Sequence, residues 1–256
     1  MKNQYKLDAV VSMMKHFMVL LALSIVVVSC KTTNDALAES QGHFTRKTIS
    51  RMDGFDEMKK SLLKSNGMKK KEFVALSTDS AWALSSDNQA RLRKFRECLS
   101  WPDSTVLLQK VIPLIDLPDY ENNVKGGVVG GFVSKAADVK KLHSMKDVYY
   151  GLRLDYTDTK FRPDGEGYAV IRFYSKRTDK LYIPFGPELG GPQEHAWPNT
   201  GGGFTSSTLG KGGFPEWVFS AKYTPMEGAE IYRVDAKGRE VLSSVFENGR
   251  WKKVGE

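Results

Sequence analysis

Residues 231–254 read Ile-Tyr-Arg-Val-Asp-Ala-Lys-Gly-Arg-Glu-Val-Leu-Ser-Ser-Val-Phe-Glu-Asn-Gly-Arg-Trp-Lys-Lys-Val. Two hairpin signals, Lys237-Gly238 and Asn248-Gly249, divide this stretch, because Gly reaches positive φ without steric cost. The β-branched and aromatic runs between them predict strands over Ile231–Val234, Glu240–Phe246 and Trp251–Val254. Working back, Trp217–Ser220, Leu181–Phe185 and Tyr168–Tyr174 have the same composition, and Asp179-Lys180 turns the chain before Leu181. Val128–Val133 reads as a strand kinked at Gly130-Gly131. Before Pro118 the pattern is helical. Phe55, Met58 and Leu62 share one face of a helix expected over 53–65, and Asn66-Gly67 stops it. A second helix is expected over 86–99, with Asp87 at its start, Leu92, Phe95 and Leu99 on its face, and Pro102 beyond its end. Residues 105–117 are apolar around Pro113 and fit either a short helix or a buried strand. A further helix is expected near 136–150, where Ser144 and Asp147 have capping-box spacing and Gly151 follows. The fold class is therefore α+β: a helical N-terminal half and a twisted, mainly antiparallel sheet in the C-terminal half. One globular domain is expected over 51–256, helical to 118 and β-rich from 119.

The N-terminus carries a separate message. Residues 17–29 are an uncharged apolar run after Lys15 and His16. A bilayer-spanning helix needs roughly 20 apolar residues. This shorter run, with a basic start and a small residue at its end, has the layout of an export signal. Val27-Val28-Ser29-Cys30 resembles the lipobox of bacterial lipoproteins, with Val and Ser as variants at its first and third positions. The resemblance implies cleavage before Cys30, diacylglycerol on the thiol, and palmitate or a similar acyl group holding the chain on a membrane of the cell envelope. Lys31, rather than Asp, at the next position points to the outer membrane where the organism has one. Translation from Met1 and from Met13 or Met14 both fit, since Asp8 sits oddly in a basic leader. Residues 31–50 are polar and aperiodic, so 30–50 is expected to be a lipidated Cys followed by a tether.

Charge and cysteine content narrow the class. The chain has 256 residues, 38 Lys and Arg against 30 Asp and Glu, and a net charge of +8. Removal of residues 1–29, with Lys2, Lys6, Lys15 and Asp8, leaves a 227-residue body of charge +6. A mildly basic body beside anionic headgroups is attracted to them. The basic residues are scattered, and Lys69-Lys70-Lys71 reads as a solvated helix end, so no nucleic-acid partner is expected. With Cys30 lipidated only Cys98 remains, so no internal disulfide can form. Cys98 reads as a small buried apolar side chain.

Familiar catalytic motifs are absent from the sequence. There is no HExxH, CxxC, EF-hand or GxSxG spacing, and the four His, at 16, 43, 143 and 195, are dispersed, so no metal is expected. Residues 126–131 do not fit dinucleotide spacing, and Lys211 lacks the Ser or Thr of a phosphate loop. His195, in the Gly/Pro-rich loop over 186–215, reads as solvated. A loop that long within a domain is usually functional or mobile.

One arrangement does carry chemistry. In order come Gly130-Gly-Phe-Val-Ser134, Gly151-Leu-Arg-Leu-Asp155, Leu181-Tyr-Ile-Pro-Phe-Gly186, Phe204-Thr-Ser-Ser-Thr208 and Pro215-Glu-Trp-Val-Phe219. This order resembles the NAD glycohydrolase and ADP-ribosyltransferase toxin domains over residues 126–235 at most. The resemblance makes 204–208 the Ser/Thr strand and Glu216 the late acid. It implies Glu216 and Ser206 as catalytic residues, and Arg153, Phe132, Thr205 and Ser207 as contacts to NAD, the substrate. Two departures stand out. No Arg lies beside Gly131-Phe132, so Arg153 or Arg172 would substitute, and Glu216-Trp217-Val218 supplies one acid where the family has a pair.

The residue types suit the chemistry. Breaking the nicotinamide–ribose bond passes through an oxocarbenium-like state that one carboxylate stabilises. The ring leaves without protonation, so no general acid is needed, and an Arg would clamp the pyrophosphate. The bland reading of each residue is an exposed Glu216, outward-facing strand positions for Arg153 and Arg172, a core Phe132 and a Ser/Thr-rich turn. Two functions from different classes therefore remain: an NAD-cleaving lipoprotein enzyme, and a non-enzymatic envelope lipoprotein that binds a protein or glycan partner through 186–215. Convergence of Ser206, Glu216 and an Arg on one cleft separates them.

Overall fold

The computed structural model describes residues 43–78, 84–184, 200–205 and 213–255. Four helices come first: α1 (Arg46–Ile49), α2 (Phe55–Ser65), α3 (Lys70–Thr78) and α4 (Ser86–Glu97). Then follow β1 (Leu108–Ile112), α5 (Leu117–Glu121), β2 (Val129–Lys135), α6 (Met145–Gly151), β3 (Gly167–Phe173) and β4 (Leu181–Tyr182). A small hairpin of β5 (Thr200–Gly201) and β6 (Phe204–Thr205) precedes β7 (Trp217–Tyr223), β8 (Glu230–Asp235), β9 (Glu240–Glu247) and β10 (Arg250–Lys253). The fold is α+β, as the sequence predicts.

Eight strands form one antiparallel sheet in the order β10-β9-β8-β3-β1-β2-β7-β4. Both hairpin turns form as their residues require: Asn248 and Gly249 take φ of 54° and 76°, and Gly238 takes 92°. Central β3 buries both faces. Ala169, Ile171 and Phe173 join Leu108, Trp217, Ile231 and Phe246 in one cluster, while Tyr168 and Val170 pack with Met145 and Val148 of α6 in another. A third cluster, centred on Phe55, Phe73, Leu92 and Phe95, is built by the helices and admits Phe204 from β6. Phe204 thus pins the hairpin to the helical layer. The kink read at Gly130-Gly131 is a bulge: the β2–β7 register shifts between Val129 and Gly131, and Gly131 has φ of 75°.

Several expectations are corrected. Residues 43–50, the last part of the expected tether, belong to the folded body. Glu230 Oε1 and Oε2 accept the backbone N–H groups of His43 and Phe44 at 2.7 and 2.8 Å, and Ile49 is buried. Residues 105–117 resolve into a strand, β1, that ends before Pro113. The helix near 136–150 shortens to Met145–Gly151. Its first half instead supports α2: Asp138 Oδ1 accepts the Phe55 N–H at 2.8 Å, and Lys140 Nζ donates to the Met52 carbonyl at 2.6 Å. The capping box at its start does form, between Ser144 and Asp147. Cys98 is exposed at the end of α4, not buried. Of the expected 186–215 loop, Thr200–Gly201 and Phe204–Thr205 pair as a hairpin and Pro215 bridges Phe204. His195 and residues 206–208 lie outside the described residues, as does the Val27–Cys30 segment.

Candidate active site around Glu216

Glu216 opens β7. Its N–H donates to the Gly203 carbonyl at 3.1 Å, and the preceding Pro215 bridges Phe204. These bonds hold Pro215 and Glu216 against the β5–β6 hairpin, and Glu216 is buried. The exposed-strand reading of this residue is therefore overturned. Its Oε1 is enclosed and has no hydrogen-bond partner among the described residues. Burial pushes the carboxyl up to about 8, and the nearby Arg96 guanidinium offsets only part of that shift. A carboxyl in this state keeps its proton at neutral pH and can lose it near there.

Arg96 stands behind it. Its Nη2 donates to the Glu216 backbone carbonyl at 2.8 Å and its Nε to the Gly203 carbonyl at 3.0 Å. The guanidinium lies 4.3 Å from the Trp217 ring centroid. Burial lowers its pKa to about 9, against the pull of Asp138 and Glu216, so it remains a cation at neutral pH. Asp138 is itself raised to about 6, chiefly by burial. Leu92, Arg96 and Leu99 recur at i, i+4 and i+7, so the sequence signal for Arg96 was a cation on the apolar stripe of α4.

In front of Glu216 is a cavity of about 140 Å³. Phe132, Thr205, Gln109, Lys110, Tyr156 and Phe161 are among its lining residues. Its volume is comparable to the roughly 150 Å³ of an apolar cavity that admits a benzene ring. Glu216, Phe132 and Thr205 therefore line one cavity, whereas the sequence reading asks for Ser206, Glu216 and an Arg on one cleft. Phe132 is half-buried rather than sealed in the core.

Other expected residues do not join them. The Thr205 hydroxyl is committed to the fold: Oγ1 donates to the Gly151 carbonyl at 2.7 Å and accepts the Phe214 N–H at 3.2 Å. Thr205 positions the wall and is not a free ligand donor. Arg153 lies in the turn after α6, not on a strand, with φ of 57°. Its Nη1 binds Asp155 Oδ1 at 2.6 Å, and only its neighbours Leu152 and Leu154 line the cavity. Arg172 is buried elsewhere, held by Glu240 through Nη1 at 2.8 Å and Nη2 at 2.5 Å, and by Gln109 through Nε at 3.0 Å. Neither Arg supplies the expected clamp. Ser206 and Ser207 lie outside the described residues.

Comparison with protein-family models, curated proteins and solved structures finds no match to this chain. Among the described residues no cluster of His, Cys, Asp and Glu is arranged to hold a metal, and no helix is long and apolar enough to cross a membrane.

Proposed function

We propose that this chain is an exported lipoprotein, anchored through Cys30, whose Glu216 cavity takes the nicotinamide ring of NAD and promotes cleavage of the nicotinamide–ribose bond. The observation that carries the reading is the unpartnered, desolvated Glu216 carboxyl beside Phe132 in a cavity the size of one ring. Among the described residues no cation is hydrogen-bonded to that carboxyl. A pyridinium ring entering the cavity adds a positive charge beside it, and the carboxyl then releases its proton. Phe132 is part of the cavity wall.

In the reaction the C–N bond breaks, and its electron pair goes to the ring nitrogen, which becomes a neutral pyridine. The ionised Glu216 stabilises the positive charge left on the ribose. A water oxygen then bonds to the anomeric carbon and its proton passes to Glu216. Nothing on this path needs a metal.

Calorimetric titration with 1-methylnicotinamide and with nicotinamide separates the charge from the ring. The reading expects tighter binding of the cation, by about tenfold for each unit by which it depresses the Glu216 pKa, with proton release at pH 7. Equal affinities without proton release would remove the argument for Glu216.

A further inference from the structure

A second depression lies on the helical layer. Asp56, Lys59, Lys60, Leu63 and Lys64 follow one another at i, i+3, i+4, i+7 and i+8, which is one face of α2. With Met68, Lys70 and Lys141 they line an open groove of roughly 550 Å³. Five ammonium groups there meet one carboxylate, and Asp56 is already held by Lys141 at 2.8 Å. Lys60, Lys64 and Lys70 have no carboxylate partner among the described residues, and all three are exposed. Leu63 and Met68 form an apolar floor. Lys59 rests its ammonium 4.3 Å from the Phe73 ring centroid and 5.0 Å from that of Phe55. Burial lowers its pKa, and Lys70 and Lys141 lower it further.

Like charges gathered this closely repel one another unless an anion meets them. We propose that this lysine face of α2, with Lys70 and Lys141, is the surface by which the folded body lies on an anionic phospholipid bilayer. A sheet of lipid phosphates engages several ammonium groups at once, while the lysine stems and the apolar floor suit the headgroup boundary. Nucleic acid fits less well, because the aromatic rings here, Phe55 and Phe73, are buried and offer no stacking platform. The inference rests on anchoring at Cys30. Twelve residues separate Cys30 from His43, a reach of at most ~45 Å, so the body is kept within that distance of the bilayer.

The test uses the full chain bound to vesicles, one set of phosphatidylcholine and one also containing phosphatidylglycerol. Surface amines are acetylated and read by mass spectrometry on the vesicle-bound fraction. Lys60, Lys64, Lys70 and Lys141 should lose reactivity by about fivefold or more on anionic vesicles and regain it at high salt. Lys176 and Lys237, exposed elsewhere, should not change. A K60E/K64E double variant should lose the protection of Lys70 and Lys141 while its lipid still holds it to the vesicle. Equal reactivity on both vesicle types overturns the proposal, as does protection spread evenly to Lys176 and Lys237. Protection produced only by added duplex DNA also overturns it and assigns the face to nucleic acid. Palmitate labelling of the same preparation reports the anchor separately, so loss of the tether and loss of the face give different results.

Discussion

Arg96 donates to the backbone carbonyl of Glu216, at 2.8 Å, while the enclosed Oε1 of the Glu216 carboxyl has no partner among the described residues. The cation therefore fixes where Glu216 sits without forming a hydrogen-bonded ion pair with its carboxyl. A direct pair would hold the group ionised and low, whereas this arrangement leaves it near 8.

Stability should carry the mark of that carboxyl. Above about 4.5 the unfolded chain gives up the Glu216 proton, while the folded chain keeps it until about 8. Across that window the folded state binds the extra proton, so its stability falls as pH rises, by at most ~5 kcal/mol. Glu216→Gln removes the effect. In urea unfolding the variant should match wild type near pH 5 and exceed it at pH 8. Asp138, raised to about 6, is present in both proteins and cancels in the comparison. A variant no more stable than wild type at pH 8 contradicts the burial of this group.

Arg96 should be a structural anchor of the site. Arg96→Ala loses two charge-assisted bonds to carbonyls, each worth about 1.5–3 kcal/mol, and leaves those carbonyls buried. Thermal unfolding should show a loss of roughly 3 kcal/mol or more. Arg96→Lys should recover little, because an ammonium cannot reproduce the planar fork that spans both carbonyls. Full rescue by Lys would show that charge alone is what the site needs.

The N-terminal segment should come loose without loss of the sheet. Glu230 accepts two backbone N–H groups from His43 and Phe44 and the Tyr232 hydroxyl. In Glu230→Ala, trypsin should cut at Arg46, Lys47 and Arg51 much faster than in wild type, while the β-sheet circular dichroism persists. Unchanged cleavage rates contradict the anchoring role.

What was legible in the sequence follows from how local each signal is. The β8–β9 and β9–β10 turns are set by Gly238 and by Asn248-Gly249, and the strands between them by local composition, so sequence alone locates them. Helix α3 hides because its buried Phe73 and Leu76 make a short stripe behind three lysines. The docking of residues 43–50 depends on Glu230 and Glu240, more than 180 residues away. Glu216 reads as an exposed strand residue because the group that buries its backbone, Arg96, lies 120 positions earlier. Phe132, Thr205 and Glu216 were found together, but the Arg clamp was not, since Arg153 and Arg172 are taken by Asp155 and Glu240.

Thiol chemistry tests the anchor. Cys98 is exposed, with its Sγ 3.3 Å from the Lys94 carbonyl. On the proposed anchoring, native protein purified from membranes should take up one maleimide per chain, at Cys98, with a lipid thioether blocking Cys30. Cys98→Ser should then take up none. Two labels per wild-type chain would mean that Cys30 is free and the lipoprotein reading is wrong.

The most direct test of the Glu216 site is nicotinamide release from NAD by the purified, folded protein, compared with Glu216→Gln at pH 7. Wild type should release nicotinamide, and the variant should fall by about 10²–10³-fold, the usual cost of removing one electrostatic stabiliser, while remaining folded. Wild-type protein that neither binds NAD nor releases nicotinamide contradicts the account outright, and equal release by the variant removes Glu216 from the chemistry.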